Sequence, residues 1–337
     1  MRTAALLMLA ALLPGGCATP TPAPRVPTPV IADGSERLPV LKPIRVGPHS
    51  WYVEGLPGVA SQGNQGYNSN AGFVVTPAGV VVIDTLGTPA LGRALIEAIR
   101  SVTRQPIVRV ILTHFHADHF YGLEAFKALD VETYAQVAAI RYTDSPEARR
   151  RHAQRARDLM PWVQARDRLF TADYWIDGHA GFTLGGVRFE LTHLGPAHSP
   201  EDLIVQVIDD QVLYSGDILF AGRIPYVGEA DSREWLATTA RLLAFQPRVM
   251  VAGHGRASHD PNRDLVLTRD YIADLRARMA RAVTTLTDFD TAYAAEDWSQ
   301  WSRLPAFEDA HRANAYNIYL QVEQEALQGD AQSGDPP

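Results

Sequence analysis

Residues 113–120 read THFHADHF. Three histidines and one aspartate fall within six positions, His114 to His119, directly after the apolar run PIVRVIL. A short apolar run bounded by polar residues reads as a buried strand, so the four side chains stand at its mouth. Polar and charged groups taken out of water need partners or a cation. A chain that places four metal-binding side chains there must fold so that something answers them.

The answering residues occupy matching places further on. THLGPAHSPED puts His198 after a second strand, LYSGD puts Asp217 at the end of a third, and VMVAGHG puts His254 at the end of a fourth. Loops at the carboxyl ends of strands in open α/β sheets converge on one crevice. Seven side chains of ligand type at four strand ends therefore predict one site. Imidazole and carboxylate suit zinc and other borderline divalent ions. One ion takes three or four ligands, so seven suit two ions. A carboxylate has two oxygens and can bridge, a role that suits Asp217. Gly216, Gly253 and Gly255 let the backbone turn tightly beside these ligands.

The rest of the chain supplies a frame. IRVGPHSWYVEG reads as a strand pair, GLPGVASQGNQGYNSN as a glycine- and asparagine-rich loop, and AGFVVTPAGVVVIDT as a hairpin turning at TPAG. TPALGRALIEAIRSV reads as a helix capped by Thr88 with Pro89 in its first turn. FYGLEAFKAL is a short helix, VETYAQ a strand, and 136–175 mostly helical. The strands GFTL, VRFELTHL, DLIVQVID and QVLYSGD follow, then a helix with Ser232 as N-cap, the strand RVMVAGHG, and helices near 260–286 and 305–328. The second half repeats the order of the first. The expected fold is α/β: two sheets face to face with helices outside, and a C-terminal helical extension.

Three segments follow. Arg2 and the apolar AALLMLAALL make residues 1–16 an export signal, too short to span a bilayer as a mature helix. LLPGGCATP resembles a bacterial lipoprotein signal, with Cys17 the lipidated first residue; cleavage after Ala18 is the alternative. Residues 17–43 are proline-rich and read as a tether. The folded domain spans 44–330. The protein is expected to be exported and periplasmic, held to the outer membrane by lipid alone. Cys17 is the only cysteine, so the domain has no disulfide and no thiolate ligand.

Net charge is −7, and −8 once Arg2 leaves with residues 1–16. With no dominant basic tract, nucleic acid is not an expected partner; a small molecule is. The locally basic EARRRHAQRARD has helical spacing and reads as a solvated helix face. His193, His49 and His259 read as packed or surface histidines. Arg223 and Tyr226, after the bridging aspartate, and Tyr67 and Asn70, at the glycine-rich loop, are candidate substrate contacts.

Taken in order, VVIDT, THFHADH, GPAHSPED, YSGD and AGHG resemble the motifs of the metallo-β-lactamase superfamily over about 44–260. The resemblance implies the four-layer αββα sandwich. It implies His114, His116 and His198 on one ion, Asp118, His119 and His254 on a second, Asp217 bridging, and Asp84 behind the ligands. Two zinc ions are expected, with iron and manganese left open. A metal-bound hydroxide, oriented by Asp118, would attack the carbonyl of a small ester, thioester or lactone. β-Lactam hydrolysis is the alternative, although Asp217 stands where the commonest β-lactamases carry cysteine and Phe220 where they often carry a docking lysine. A mono-iron persulfide dioxygenase is a further alternative, since those enzymes share THxHADH. The export signal, the entry stretch YNSNAGFVVTPAGVVVIDT and the C-terminal helices with HRANAYNIYLQVEQE are also similar to exported zinc metallohydrolases associated with quinoprotein relay and sulfur oxidation.

Overall fold

The computed structural model describes residues 40–333. The export signal, Cys17 and most of the tether lie outside the described residues. Packing begins within the segment read as tether, since Leu41 is buried in the first core.

The chain opens as an antiparallel meander: β1 (Ile44–Arg45), β2 (Ser50–Val53), β3 (Ala71–Thr76) and β4 (Gly79–Ile83). Helix α1 (Pro89–Val102) starts where expected, with Thr88 Oγ1 accepting from Leu91 N–H at 3.1 Å. It returns the chain to β5 (Ile107–Ile111), parallel to β4. Two short helices, α2 (Ala117–Phe120) and α3 (Leu123–Lys127), precede β6 (Glu132–Gln136). After α4 (Pro146–Asp158), β7 (Tyr174–Ile176) completes a seven-stranded sheet in chain order.

The second sheet has five strands: β8 (His179–Leu184), β9 (Val187–Thr192), β10 (Ile204–Val207), β11 (Val212–Phe220) and β12 (Val249–His254), in the order β12-β11-β10-β9-β8. Helix α5 (Ser232–Leu242) makes the crossover between the parallel pair β11 and β12. Helices α6 (Pro261–Thr284), α7 (Phe289–Ala295) and α8 (Phe307–Ser333) follow. No helix among the described residues is long and apolar enough to cross a membrane.

Strand alternation explains the layering. Successive side chains point to opposite faces, so Val80 and Val82 enter a core shared with α1 and α3, while Val81 and Ile83 enter the core between the sheets. Likewise Met250 and Ala252 face α5, α6 and α8, while Val249 and Val251 face the first sheet. Three cores separate four layers, the αββα order expected from sequence. The sheets approach closely at Gly72, where a Cβ would fall 2.2 Å from the Tyr214 ring. That ring crosses from the second sheet, and its hydroxyl donates to the Trp51 carbonyl at 2.9 Å.

Four local readings change. The short helix read over FYGLEAFKAL is α3, trimmed to Leu123–Lys127, and a separate turn, α2, precedes it over Ala117–Phe120; between them Gly122 packs where a Cβ would lie 1.9 Å from the Thr85 carbonyl oxygen. Residues 136–175 contain a single longer helix, α4, and end in the edge strand β7. The cap of α5 is Asp231, whose carboxylate accepts from Arg233 and Glu234 N–H at 2.9 and 3.1 Å. Ser232, fully buried, instead donates its hydroxyl to Gln321 at 2.6 Å. The region 260–328 forms three helices, with α7 between the two expected.

One side of α8 stitches down the segment after β11. Asn314 accepts from Val227 N–H at 2.8 Å and donates to the Pro225 carbonyl at 2.7 Å. Asn317 donates to the Gly228 carbonyl and Gln321 to the Ala230 carbonyl. The spacing i, i+3, i+7 keeps these three on one helix face.

Candidate metal centre

The topology brings the predicted strand ends together. β4, β5 and β6 run parallel, so Asp84 and the HFHADH segment leave the first sheet at one edge. In the second sheet β9 and β11 are both antiparallel to β10, and β12 is parallel to β11. The loop after β9, the end of β11 and the end of β12 therefore open at one edge too. His114, His116, His198 and Asp217 form one group that could hold a metal ion, and Asp118, His119 and His254 a second; within each, the ligand atoms lie within 4.8 Å of one another.

Asp217 stands between the groups. Its Oδ1 is 3.3 Å from His119 Nε2, and its Oδ2 is 3.2 Å from His198 Nε2 and 3.3 Å from His254 Nε2. β11 runs past it to Phe220, and a register shift against β12 at Gly216 turns the carboxylate inward. Gly216 has φ +51, a conformation side chains rarely adopt. Gly253 makes the room: a Cβ there would lie 1.8 Å from Asp217 Oδ1.

Hydrogen bonds on the far side of three of the five rings, those of His114, His119 and His254, fix which nitrogen faces inward. Asp84 accepts from the Thr113 N–H and hydroxyl, both at 2.8 Å, and from His119 Nδ1 at 2.9 Å. The Thr113 oxygen, its proton given to Asp84, is left to accept from His114 Nδ1 at 3.1 Å. His254 Nδ1 donates to the Asn68 carbonyl at 2.7 Å. Each arrangement turns Nε2 toward the centre. His116 instead turns Nδ1 inward, 2.6 Å from His198 Nε2. Asn68 also donates its amide to Asp118 Oδ2 at 3.1 Å, and Glu201 accepts from Phe115 N–H at 3.1 Å, steadying the HFH turn.

The electrostatics are those of a cation site. Burial pushes His114 and His116 well below the usual histidine range, and His198 down to about 4. Burial alone would raise the carboxyls of Asp118 and Asp217, but the surrounding imidazoles outweigh it and hold both far below the ordinary aspartate range. Burial alone would also lower His119, yet Asp217 and Asp84 outweigh it and draw its pKa well up. His114 Nε2, His119 Nε2 and Asp217 Oδ1 are buried without a hydrogen-bond partner among the described residues. Buried polar atoms are rarely left unanswered, and this nitrogen and oxygen donor set fits a divalent ion of the zinc class.

A cavity of about 400 Å³ opens above the cluster. Its floor carries His116, Asp118, His198, Asp217 and His254. Of the four candidate substrate contacts, Arg223 and Tyr226 line it. Tyr67 packs against the first core, and Asn70 is buried with its amide spent on the Gly55 N–H and the Ala252 and Gly255 carbonyls; neither lines the cavity. Asn70 instead ties the entry loop to the turn carrying His254. Phe220 is buried with its ring parallel to that of His254, centroids 5.0 Å apart. His193 bonds the Asp202 carbonyl, His49 pairs with Asp210, and His259 is exposed.

Sequence reasoning missed Asn68, Thr113 and Glu201, whose roles are set by hydrogen bonds across the chain. It also placed α4 on solvent, whereas Arg151, Gln154, Arg155 and Asp158 line the cavity. The i, i+3, i+4, i+7 spacing was the available signal, but it did not say which face turned inward.

Comparisons with known proteins agree with this geometry. The family model for the metallo-beta-lactamase superfamily matches residues 64–254, more than half of the chain. A type 2 metallo-beta-lactamase of Elizabethkingia meningoseptica is 28% identical over 193 residues, covering 56% of this chain and 69% of that protein. A linear primary-alkylsulfatase of a Pseudomonas species is 24% identical over 255 residues, covering 62% of this chain and 46% of the enzyme, so the match spans about half its length. Among solved structures, a metallo-beta-lactamase from Pontibacter korlensis matches with a TM-score of 0.56 at 19% identity, over 69% of this chain and 99% of that one. A double mutant of the sec-alkyl sulfatase PisA1 matches with a TM-score of 0.63 at 20% identity, over 88% of this chain and 52% of that one. At such identities these two likenesses speak for the fold alone.

Proposed function

Because the chain belongs to the metallo-beta-lactamase superfamily, whose matched relatives here include two hydrolases, we propose that it is a two-zinc hydrolase of small carbonyl esters, thioesters or lactones. The observation that carries this reading is the pair of ligand groups joined by one buried carboxylate, Asp217. In the proposal His114, His116 and His198 hold one ion, Asp118, His119 and His254 the other, and Asp217 both. Such ions, when bound, supply an activated water and an electrophile for the carbonyl oxygen.

The protein's own groups supply the rest. Asp84, Thr113 and the Asn68 carbonyl keep the ring protons on the outward nitrogens. Asp118 stays ionised, is held at Oδ2 by the Asn68 amide, and offers an oxygen to orient the attacking water or take its proton. Phe220 and Ile224 give the cavity a dry wall, and its volume suits a small molecule.

A β-lactam reading stands second, supported by Arg223, which is 7% exposed and lines the cavity where it could hold a carboxylate. Against it, Phe220 is packed on His254 and the second group has only nitrogen and oxygen donors. A sulfate ester enters through the alkylsulfatase relative. The mono-iron oxidoreductase reading leaves the group Asp118, His119 and His254 without work.

Metal analysis of the purified chain, then steady-state kinetics on a penicillin, a carbapenem, a thioester, a lactone and a sulfate ester, tests the proposal. About two zinc ions per chain are expected, with the lactone or thioester turned over faster than the lactams. A single iron with oxygen uptake would overturn the reaction class. Lactam kcat/KM above about 10⁴ M⁻¹s⁻¹ and above the other substrates would promote the β-lactamase reading.

Export and a lipid anchor on Cys17 complete the proposal, placing the enzyme in the periplasm at the outer membrane. Mass spectrometry of the native protein is expected to find a diacylated or triacylated Cys17 as first residue. A mature chain starting at Thr19 would mean soluble release instead.

A further inference from the structure

We propose that Ala310 of helix α8 is a specificity-determining residue: it keeps open an apolar recess at one side of the cavity, and the preferred substrate carries an alkyl chain that fills it. The proposal deepens the hydrolase reading and rests on it for the bond that is cut.

Ala310 reaches the cavity because of the helix face it occupies. Ala310, Asn314, Asn317 and Gln321 follow at i, i+4, i+7 and i+11, so they share one side of α8. The three amides cross to the segment after β11 and bond residues 225–230. Ala310 stands at the upstream end of that stripe, 4% exposed, and lines the cavity. Where its neighbours bridge from helix to wall, its single side-chain carbon leaves space.

The start of the helix is fixed against the same wall. Ile224 N–H donates to the Pro305 carbonyl at 3.0 Å. Ala306 follows with φ +65, a left-handed backbone that a residue with a Cβ seldom adopts. Its carbonyl accepts from Ala310 N–H at 3.0 Å. Such a conformation persists only where its surroundings hold it, and the bond to Ile224 lies one residue before it. The backbone thus sets how far Ala310 stands from Ile224.

Phe220, Ile224 and Ala310 belong to one core and are buried, yet all three line the cavity. Tyr226 and Val59, 51% and 44% exposed, continue the apolar lining toward the mouth. Apolar atoms that face a void lose their contacts on one side, and an apolar recess stays dry and takes an apolar guest. An alkyl chain lying from the mouth to Ala310 would restore those contacts. The rest of the lining, from α4 and the ligand floor, is mostly polar, so the two sides of the cavity together select an amphiphile. Helix α8 lies beyond residues 64–254, so the recess is added to the frame that the family shares.

The test is calorimetric titration of the purified full-length chain, carrying the metal it is isolated with, using butanol, hexanol and octanol as probes. Affinity should rise about fourfold for each added methylene, the gain from burying one such group. Ala310→Leu, whose added carbons would fill the recess, should weaken octanol about tenfold or more and leave butanol unchanged. Ala310→Val should fall between the two. Ala313→Leu, on the exposed side of α8, should change nothing. Circular dichroism melts check folding, and if Ala310→Leu unfolds, Ala310→Val decides. In kinetics, the chain is lengthened on either side of the bond, from para-nitrophenyl acetate to octanoate and from S-methyl to S-hexyl thioacetate. kcat/KM should climb along at least one series, which says which side of the bond the recess receives, and Ala310→Leu should flatten that climb while the shortest member keeps its rate. Alcohol affinity that does not rise with length, or a rise that both Ala310 variants leave intact, overturns the proposal. If no ester or thioester is turned over, the hydrolase reading fails, and the titration still decides the recess.

Discussion

Asp217→Ala should empty the centre. Metal content is expected to fall from about two ions per chain to well below one, and kcat/KM on the best ester by about a thousandfold or more. The reason is position. One oxygen of Asp217 lies 3.3 Å from His119 Nε2, and the other lies within 3.3 Å of both His198 and His254. Removing it withdraws the one carboxylate among the described residues that lies against both groups, and with it the negative charge that would let two cations sit side by side. Gly253→Ala should reproduce much of this loss without altering a ligand, because its Cβ would fall on the space of Asp217 Oδ1. Inductively coupled plasma analysis and kinetics on both variants read the effect. Two ions retained in Asp217→Ala would end the bridging assignment.

Asp84→Asn carries the second large effect, through a single proton. The asparagine oxygen must still accept from Thr113 N–H, so its amide would face Thr113 Oγ1 and His119 Nδ1. His119 would then have to accept at Nδ1 and carry its proton on Nε2, pointing into the centre. Outer partners of this kind are worth about 10- to 100-fold in metal affinity. The ion on Asp118, His119 and His254 should weaken by that factor, while the ion on His114, His116 and His198 loses less. The fold should survive, since the side-chain shape is kept. Competitive zinc titration separates the two sites, and nitrogen-resolved NMR of the histidine rings reads the tautomer directly. Unchanged affinity, with His119 still protonated at Nδ1, would show that Asp84 serves packing alone.

Much of this was readable in the residues because the strands are short, β-branched and interrupted by turn formers. VVVI and IVRVI could only be buried strands, and ligands next to such strands inherit their direction. Thr88 and Pro89 marked a helix start that the structure keeps. The misreadings share a cause. Ser232 and Asp231 are both good caps, and a tertiary partner, Gln321, claimed the serine. Helix α4 buries fully only Ala148, so its sequence has no apolar stripe to say which side turns inward. Its basic face is set by what stands opposite, a cavity that no local pattern encodes. Asn70 lay beside the right loop, but its bonds to residues more than 180 positions away are invisible along the chain.

The grip of α8 on residues 225–230 has a consequence for how such a chain can change over time. The floor of the cavity is written in residues 84–254, while the posture of the wall that bears Arg223 and Tyr226 is written in Asn314, Asn317 and Gln321. Inheritance can therefore alter the two separately. An exchange at 314 or 317 should retune the mouth and leave the seven clustered ligand-type residues in place. The tail of the chain is thus a region where new preferences can be tried while the reactive centre is kept, a division of labour between a fixed engine and an adjustable gate.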